Sequence, residues 1–249
     1  MSDLTRVYNS CTRTTLHIGS LISIFLVLRL LPCLLLWPTL LRDCTSENIM
    51  LDPSNMYPKS FHPVEMGRNK DFRGRAKGYS RTRRPSRYLL IDFGLSRWYD
   101  PADGPPLDQP IHGGDKSAPE LQDGRTPYNP FPTDVYYLGN LVREDYMQVR
   151  TFTCLRSVST NKSQKYHGFE FMNELIADMV QEDPTKRPTM GEVVARCSEI
   201  KNKLSTWKLR SRLTRKKEIL PVKVWRTTGH WYRTVGYVLG RKAAIPEPK

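Results

Sequence analysis

The spacing of apolar and polar positions changes along this chain, and the changes mark its elements. Leu16 to Leu41 is a nearly continuous apolar run of eleven leucines with Ile18, Ile22, Ile24, Phe25, Val27 and Trp37, long enough to cross a bilayer. Arg29 and Pro32 interrupt it. A central arginine costs about 2.5–3.5 kcal/mol on insertion scales, which leucines at about half a kcal/mol each offset. Arg6 and Arg13 supply a basic flank, and no small-residue cleavage site follows. Three readings of the run stand side by side: a signal anchor, a hydrophobic helix packed on the rest of the fold, or mis-spliced coding sequence foreign to it.

Further along, Ile49-Met50-Leu51 and Tyr88-Leu89-Leu90-Ile91 are short and apolar, and the second is bounded by Pro85 and Gly94, so both read as strands. The prolines, glycines and arginines of 53–87 leave little to bury, which predicts a loop, disordered in part. After Asp134 the period becomes helical, with Val135, Leu138, Leu141 and Val142 on one face. Phe171, Leu175, Ile176, Met179 and Val180 repeat it within 169–181, and Asp183-Pro184 stops that helix. Thr189 and Glu192 match a capping box, so a further helix starts at Met190 or Gly191 and runs through Ile200. The sum is an α+β chain, mainly helical, with at most two short strand pairs.

Charge and cysteine content narrow the class. The 249 residues carry a formal charge of +14, concentrated in two segments. Arg68 to Arg87 holds nine Lys or Arg against Asp71 alone, and Lys201 to Lys249 holds fourteen against Glu218 and Glu247. The second segment interleaves Trp225, Trp231, Tyr232 and Tyr237. Solvated charge is the preferred reading of both, ahead of a grip on nucleic acid or an anionic membrane. The five scattered cysteines form no C-x-x-C pair, as expected of reduced thiols in a cytosol-facing protein. Cys44 reads as a small filler at a turn rather than a reactive thiol.

The candidate chemistry lies between these segments. Arg42-Asp43 is followed by Asn48, then by Asp92-Phe93-Gly94, Ala118-Pro119-Glu120, the run Asp134 to Gly139, and Arg187. Two carboxylates and an amide on loops are hard oxygen donors of the kind that suits magnesium. In this order and spacing the motifs resemble the C-terminal lobe of a protein kinase, over Arg42 to Ile200, and look like those of the kinase-like proteins found in fungi.

The resemblance implies a truncated kinase C-lobe that uses ATP and Mg, with protein hydroxyls as acceptors. Asp43 would orient or accept the hydroxyl proton, Asn48 and Asp92 would hold magnesium, and Phe93 and Gly94 complete the Asp-Phe-Gly element. Arg42 would pair with a phosphate or with an acid of the segment 92–120. Glu120 and Arg187 would form a structural ion pair, and Asp134 would cap the backbone of the catalytic loop. The chain departs from the pattern at Leu41, where the family has histidine, and at Thr45, where many Ser/Thr kinases have lysine. No glycine-rich loop and no strand lysine of the Val-Ala-Ile-Lys kind precede Arg42.

The expected organisation is a hydrophobic segment 1–41, a kinase-like lobe 42–206 with a basic insertion 53–87, and a basic tail 207–249. The expected function is a protein kinase domain, incomplete and of little activity as it stands. The alternative is a non-catalytic pseudokinase module that docks a protein partner, with membrane attachment through 16–41 as an option. The expected location is cytoplasmic, or membrane-anchored with the lobe facing the cytosol.

Overall fold

The computed structural model describes residues 39–40, 44–45, 48–104, 106–110, 115–147, 166–215 and 218–247. The apolar run as far as residue 38, together with Arg42 and Asp43, lies outside them, as do Cys11, Cys33 and Cys154. Helix and strand are mixed in the described residues, with helix predominant.

Two antiparallel ladders organise the first part. Strand β1 (Thr39–Leu40) pairs with β4 (Arg97–Trp98), Leu40 opposite Arg97. Strand β2 (Ile49–Leu51) pairs with β3 (Tyr88–Leu90), Ile49 opposite Leu90 and Leu51 opposite Tyr88. Ile49, Leu51 and Tyr88 are buried whereas Leu89 is exposed, so alternate positions enter the core as the period of a strand requires. Backbone bonds extend this ladder at both ends, Ile91 N–H to Asn48 O at 2.9 Å and Asp52 N–H to Arg87 O at 2.9 Å.

The insertion 53–87 is a loop, but one of defined turns where disorder had been expected in part. Buried Met56 accepts a backbone bond from Tyr79 at 2.9 Å, and the Arg84 guanidinium lies over the Tyr79 ring at 4.1 Å. Stacking on aromatic rings occupies the arginines that composition alone assigns to solvent.

Helix α1 (Pro130–Val142) starts where the Asn129 side chain accepts the Phe131 N–H and Pro130 fixes the first φ. It is buried on every side from Thr133 to Val142, so it runs through the lobe as its central rod. Helix α2 (Asn173–Met179) lies across it and buries Leu175, Ile176 and Met179. The crossing is close because Gly139 has no side chain. A Cβ there would stand 2.8 Å from both Met179 Cβ and Val180 Cγ1. Gly139→Ala is therefore expected to destabilise the fold by about 1–3 kcal/mol, although alanine gains about 1 kcal/mol of helix propensity. Chemical denaturation checks this, and an equal or raised midpoint would refute the close crossing.

Helix α3 (Met190–Lys203) begins with the reciprocal capping box of Thr189 and Glu192 and buries Val193 and Cys197. Burial pushes the Cys197 thiol up to about 11, which makes it inert as a nucleophile.

Residues beyond 206 differ from a solvated tail. A third ladder joins β5 (Tyr166–His167) to β6 (Thr214–Arg215), one more than the two pairs expected, because two-residue strands leave no periodic signal in the sequence. After the short helix α4 (Thr206–Leu209) the chain buries Leu213, then forms α5 (Leu220–Leu239). His230 Nε2 bonds Arg210 O at 2.8 Å, and Tyr237 Oη bonds Ser80 Oγ of the insertion at 2.7 Å. Among the described residues no helix is long and apolar enough to cross a membrane.

Candidate functional site

The two ladders fix the site. Strand β2 begins immediately after Asn48, and β3 ends two residues before Asp92. The bond from Ile91 N–H to Asn48 O leaves the buried Asn48 one residue from register with Asp92. On the other side, β1 ends at Leu40 and pairs with β4, which begins at Arg97. The segment between Leu40 and Ile49, which carries Asp43 and Asn48, is thus tied at both ends to the segment between Leu90 and Arg97, which carries Asp92. Arg42 and Asp43 themselves fall outside the described residues; Cys44, next to them, is fully buried as a filler would be.

Asp92 has φ 59° and ψ 69°, a left-handed conformation uncommon for a residue with a Cβ. Its carboxylate Oδ1 accepts the Gly94 N–H at 3.3 Å and caps the short turn Phe93–Leu95. A Cβ on residue 94 would approach that same Oδ1 to 3.2 Å, a tight contact that would push the carboxylate by a few tenths of an ångström. Strained backbone of this kind costs about 1–3 kcal/mol and clusters at functional sites. Phe93 is exposed beside it.

Among the described residues no three His, Cys, Asp or Glu side chains converge as a metal cage. An amide and a carboxylate are oxygen donors of the type magnesium takes, since it uses one or two protein carboxylates and fills its remaining positions with water and phosphate.

The expected ion pair is formed elsewhere in the fold. Arg187 Nη1 and Nη2 meet Glu120 Oε1 and Oε2, each at 2.7 Å, in a two-pronged pair. The remaining guanidinium N–H groups donate to Gln181 O at 2.8 Å, Pro132 O at 3.1 Å and Glu182 O at 3.3 Å, so all five donors are used. The guanidinium also faces the Tyr136 ring at 4.9 Å. Thr133 Oγ1 donates to Glu120 Oε1 at 2.6 Å. Burial pushes the Glu120 carboxyl up, but the bonds from Arg187 and Thr133 outweigh it and hold the group below its ordinary value. Asp134 is buried in α1 next to Thr133; the loop it was expected to cap is described only in part.

Thr133, Tyr136 and the Pro132 carbonyl escaped the sequence reading. The one available signal was a threonine directly before Asp134 in an otherwise apolar helix. In the segment 92–120, buried Asp108 is held by Tyr99 Oη and by Arg97 Nη1 at 3.4 Å. Arg42, the partner considered for such acids, is not among the described residues. Ser117 Oγ donates to Asp115 Oδ2 at 2.9 Å and is met by Asn140 Nδ2 at 3.3 Å, which joins this segment to α1.

Compared with known proteins, the chain matches no family model and no curated protein.

Proposed function

We propose that the chain contributes the lower, substrate-facing lobe of a protein kinase-like phosphotransferase. What supports the reading is the pair of ladders that ties the Asp43–Asn48 segment across from Asp92. Asn48 and Asp92 hold a magnesium ion in this reading, and the ion, when bound, neutralises charge on the nucleotide phosphates. Gly94 N–H fixes the orientation of the Asp92 carboxylate, and Asp43 orients the acceptor hydroxyl. The Glu120–Arg187 pair stiffens the lobe that carries both loops, so that the donors are held before any ligand arrives.

A second reading, a kinase-derived docking module without catalysis, draws on Leu89, Phe93 and Trp98, large apolar side chains left exposed around the site. Binding separates the two. With a fluorescent ATP analogue, the purified chain is expected to bind weakly, only with magnesium, and about tenfold more weakly, or ~1.4 kcal/mol, after Asp92→Ala. Phosphoryl transfer to itself or to a generic substrate is expected to be negligible, since the phosphate contacts of a glycine-rich loop and strand lysine are worth several kcal/mol in the transition state. Equal nucleotide binding by Asp92→Ala would contradict the phosphotransferase reading, and no magnesium-dependent binding at all would favour the docking module.

A further inference from the structure

Helix α5 is built inside out. It meets the lobe through Thr227, His230, Thr234 and Tyr237, which with Gly229 are its partly or fully buried positions and recur at spacings of three and four residues. Thr234, at 3 % exposure, is its only buried residue. His230 and Tyr237 bond Arg210 O and Ser80 Oγ with their polar atoms. The opposite face is therefore turned to solvent, and it is apolar: Val224, Trp225, Trp231, Tyr232, Val235 and Leu239. Trp225 is 82 % exposed, Tyr232 83 % and Leu239 78 %. Trp207 of α4 stands 5.9 Å from Trp231 and widens the patch. Monomeric proteins rarely leave so continuous an apolar surface uncovered.

The charges around this face are of one sign. Lys223, four residues before Thr227, and Arg233, three residues after His230, are exposed along the polar side of the helix, and Arg241 and Lys242 are exposed just past its end. No acidic residue occurs between Ile219 and Pro246. The nearest acid, Glu218, is engaged by Arg212 and by Arg226 at 3.1 Å. A second copy seated here would bring these like charges together on chains that each carry +14. An anionic surface is attracted instead. Aromatic and aliphatic side chains on one face with Lys and Arg on the polar side are the pattern of a helix lying in the membrane–water boundary. The helix is not apolar enough to span.

We infer that α5 docks the lobe flat on an anionic lipid surface, its apolar face sunk among the headgroups, Arg241 and Lys242 at its end meeting their charge and Lys223 and Arg233 adding to the attraction from the polar side. The inference does not depend on the phosphotransferase reading.

Sedimentation of the full chain with vesicles tests it. Phosphatidylcholine vesicles containing phosphatidylserine should retain the protein, added salt should weaken retention, and pure phosphatidylcholine should retain at least about tenfold less. The triple variant Trp225→Ser, Tyr232→Ser, Leu239→Ser should lose about tenfold or more in partitioning with an unchanged melting temperature, since all three side chains stand in solvent. A second exposed pair far along the chain, Val64→Ser with Phe72→Ser, should change nothing. Full retention of the triple variant would overturn the inference, since another segment would then carry the binding. So would equal binding to neutral vesicles, or a Trp225-dependent dimer or nucleic-acid complex in place of vesicle binding.

Discussion

Replacing Arg187 with alanine is expected to cost about 3–5 kcal/mol of folding free energy, because it strands a buried carboxylate and empties five hydrogen bonds at once. For a chain of this size that lowers the melting temperature by on the order of 10 °C. Glu120, whose side chain is 9 % exposed, cannot turn to water when its partner goes. Gln181, Glu182 and Pro132 lose the donor to their carbonyls, and the turn Pro119–Leu121 loses its tie to the 181–187 stretch, keeping only the Thr133 bond to α1. Arg187→Lys should recover little, since a point charge cannot reproduce the two-pronged fork. The pair Glu120→Leu with Arg187→Met should lose less than Arg187→Ala alone, since it leaves no charge unmatched.

The same pair sets an acid signature. The folded Glu120 carboxyl lies below its ordinary 4.5, so its stabilisation is complete above that pH and is lost as pH falls through the depressed value. In Arg187→Ala the stranded carboxyl should titrate above its ordinary value, and protonation then relieves the variant. The gap between the two proteins should accordingly start to narrow above pH 4.5, as the variant's carboxyl takes up its proton, and narrow further below it, as the unaltered protein loses the stabilisation of its depressed carboxyl. Melting curves that coincide at neutral pH would remove the pair from the account.

How far the sequence reveals this lobe depends on the range of the interaction concerned. The capping box at Thr189 and Glu192 was legible because donor, acceptor and consequence all lie within four residues. The β2–β3 ladder was legible because two apolar tripeptides stand between turn residues. In α1 the helical period picked out Val135, Leu138, Leu141 and Val142, yet Tyr136, Tyr137 and Asn140 are buried as well. A helix surrounded on all sides shows no period for its other faces. Nothing local announces the partnership of Glu120 with Arg187 across 67 positions, and it was reached only through the resemblance. Thr133 carried even less signal. The apolar stripe of α5 illustrates a different limit: the same spacing that marks a core-facing helix here marks a face turned outward, and only packing distinguishes the two. Arginines in 53–87 that composition assigned to water stack on Tyr79 for a related reason, since a ring brought close by a turn is invisible to a charge count.

Removing the Asp92 carboxylate is the change expected to affect the proposed chemistry most, because it takes away the one charged oxygen that the described part of the site offers the cation. Its left-handed backbone and its bond to Gly94 hold that oxygen in place before the ion arrives. Asn48 stands one residue out of register and, in the proposed reading, would add a neutral oxygen. Manganese can report this directly, since it occupies magnesium sites and broadens the signals of nearby nuclei. With the nitrogen-labelled chain and ATP present, the side-chain amide of Asn48 and the backbone amide of Gly94 are expected to broaden first and together as manganese is added, and Asp92→Ala should raise the manganese needed by about tenfold or more. If both signals stay sharp while the amides of the acidic stretch 100–108 broaden instead, the two loops do not share a cation and the account is contradicted.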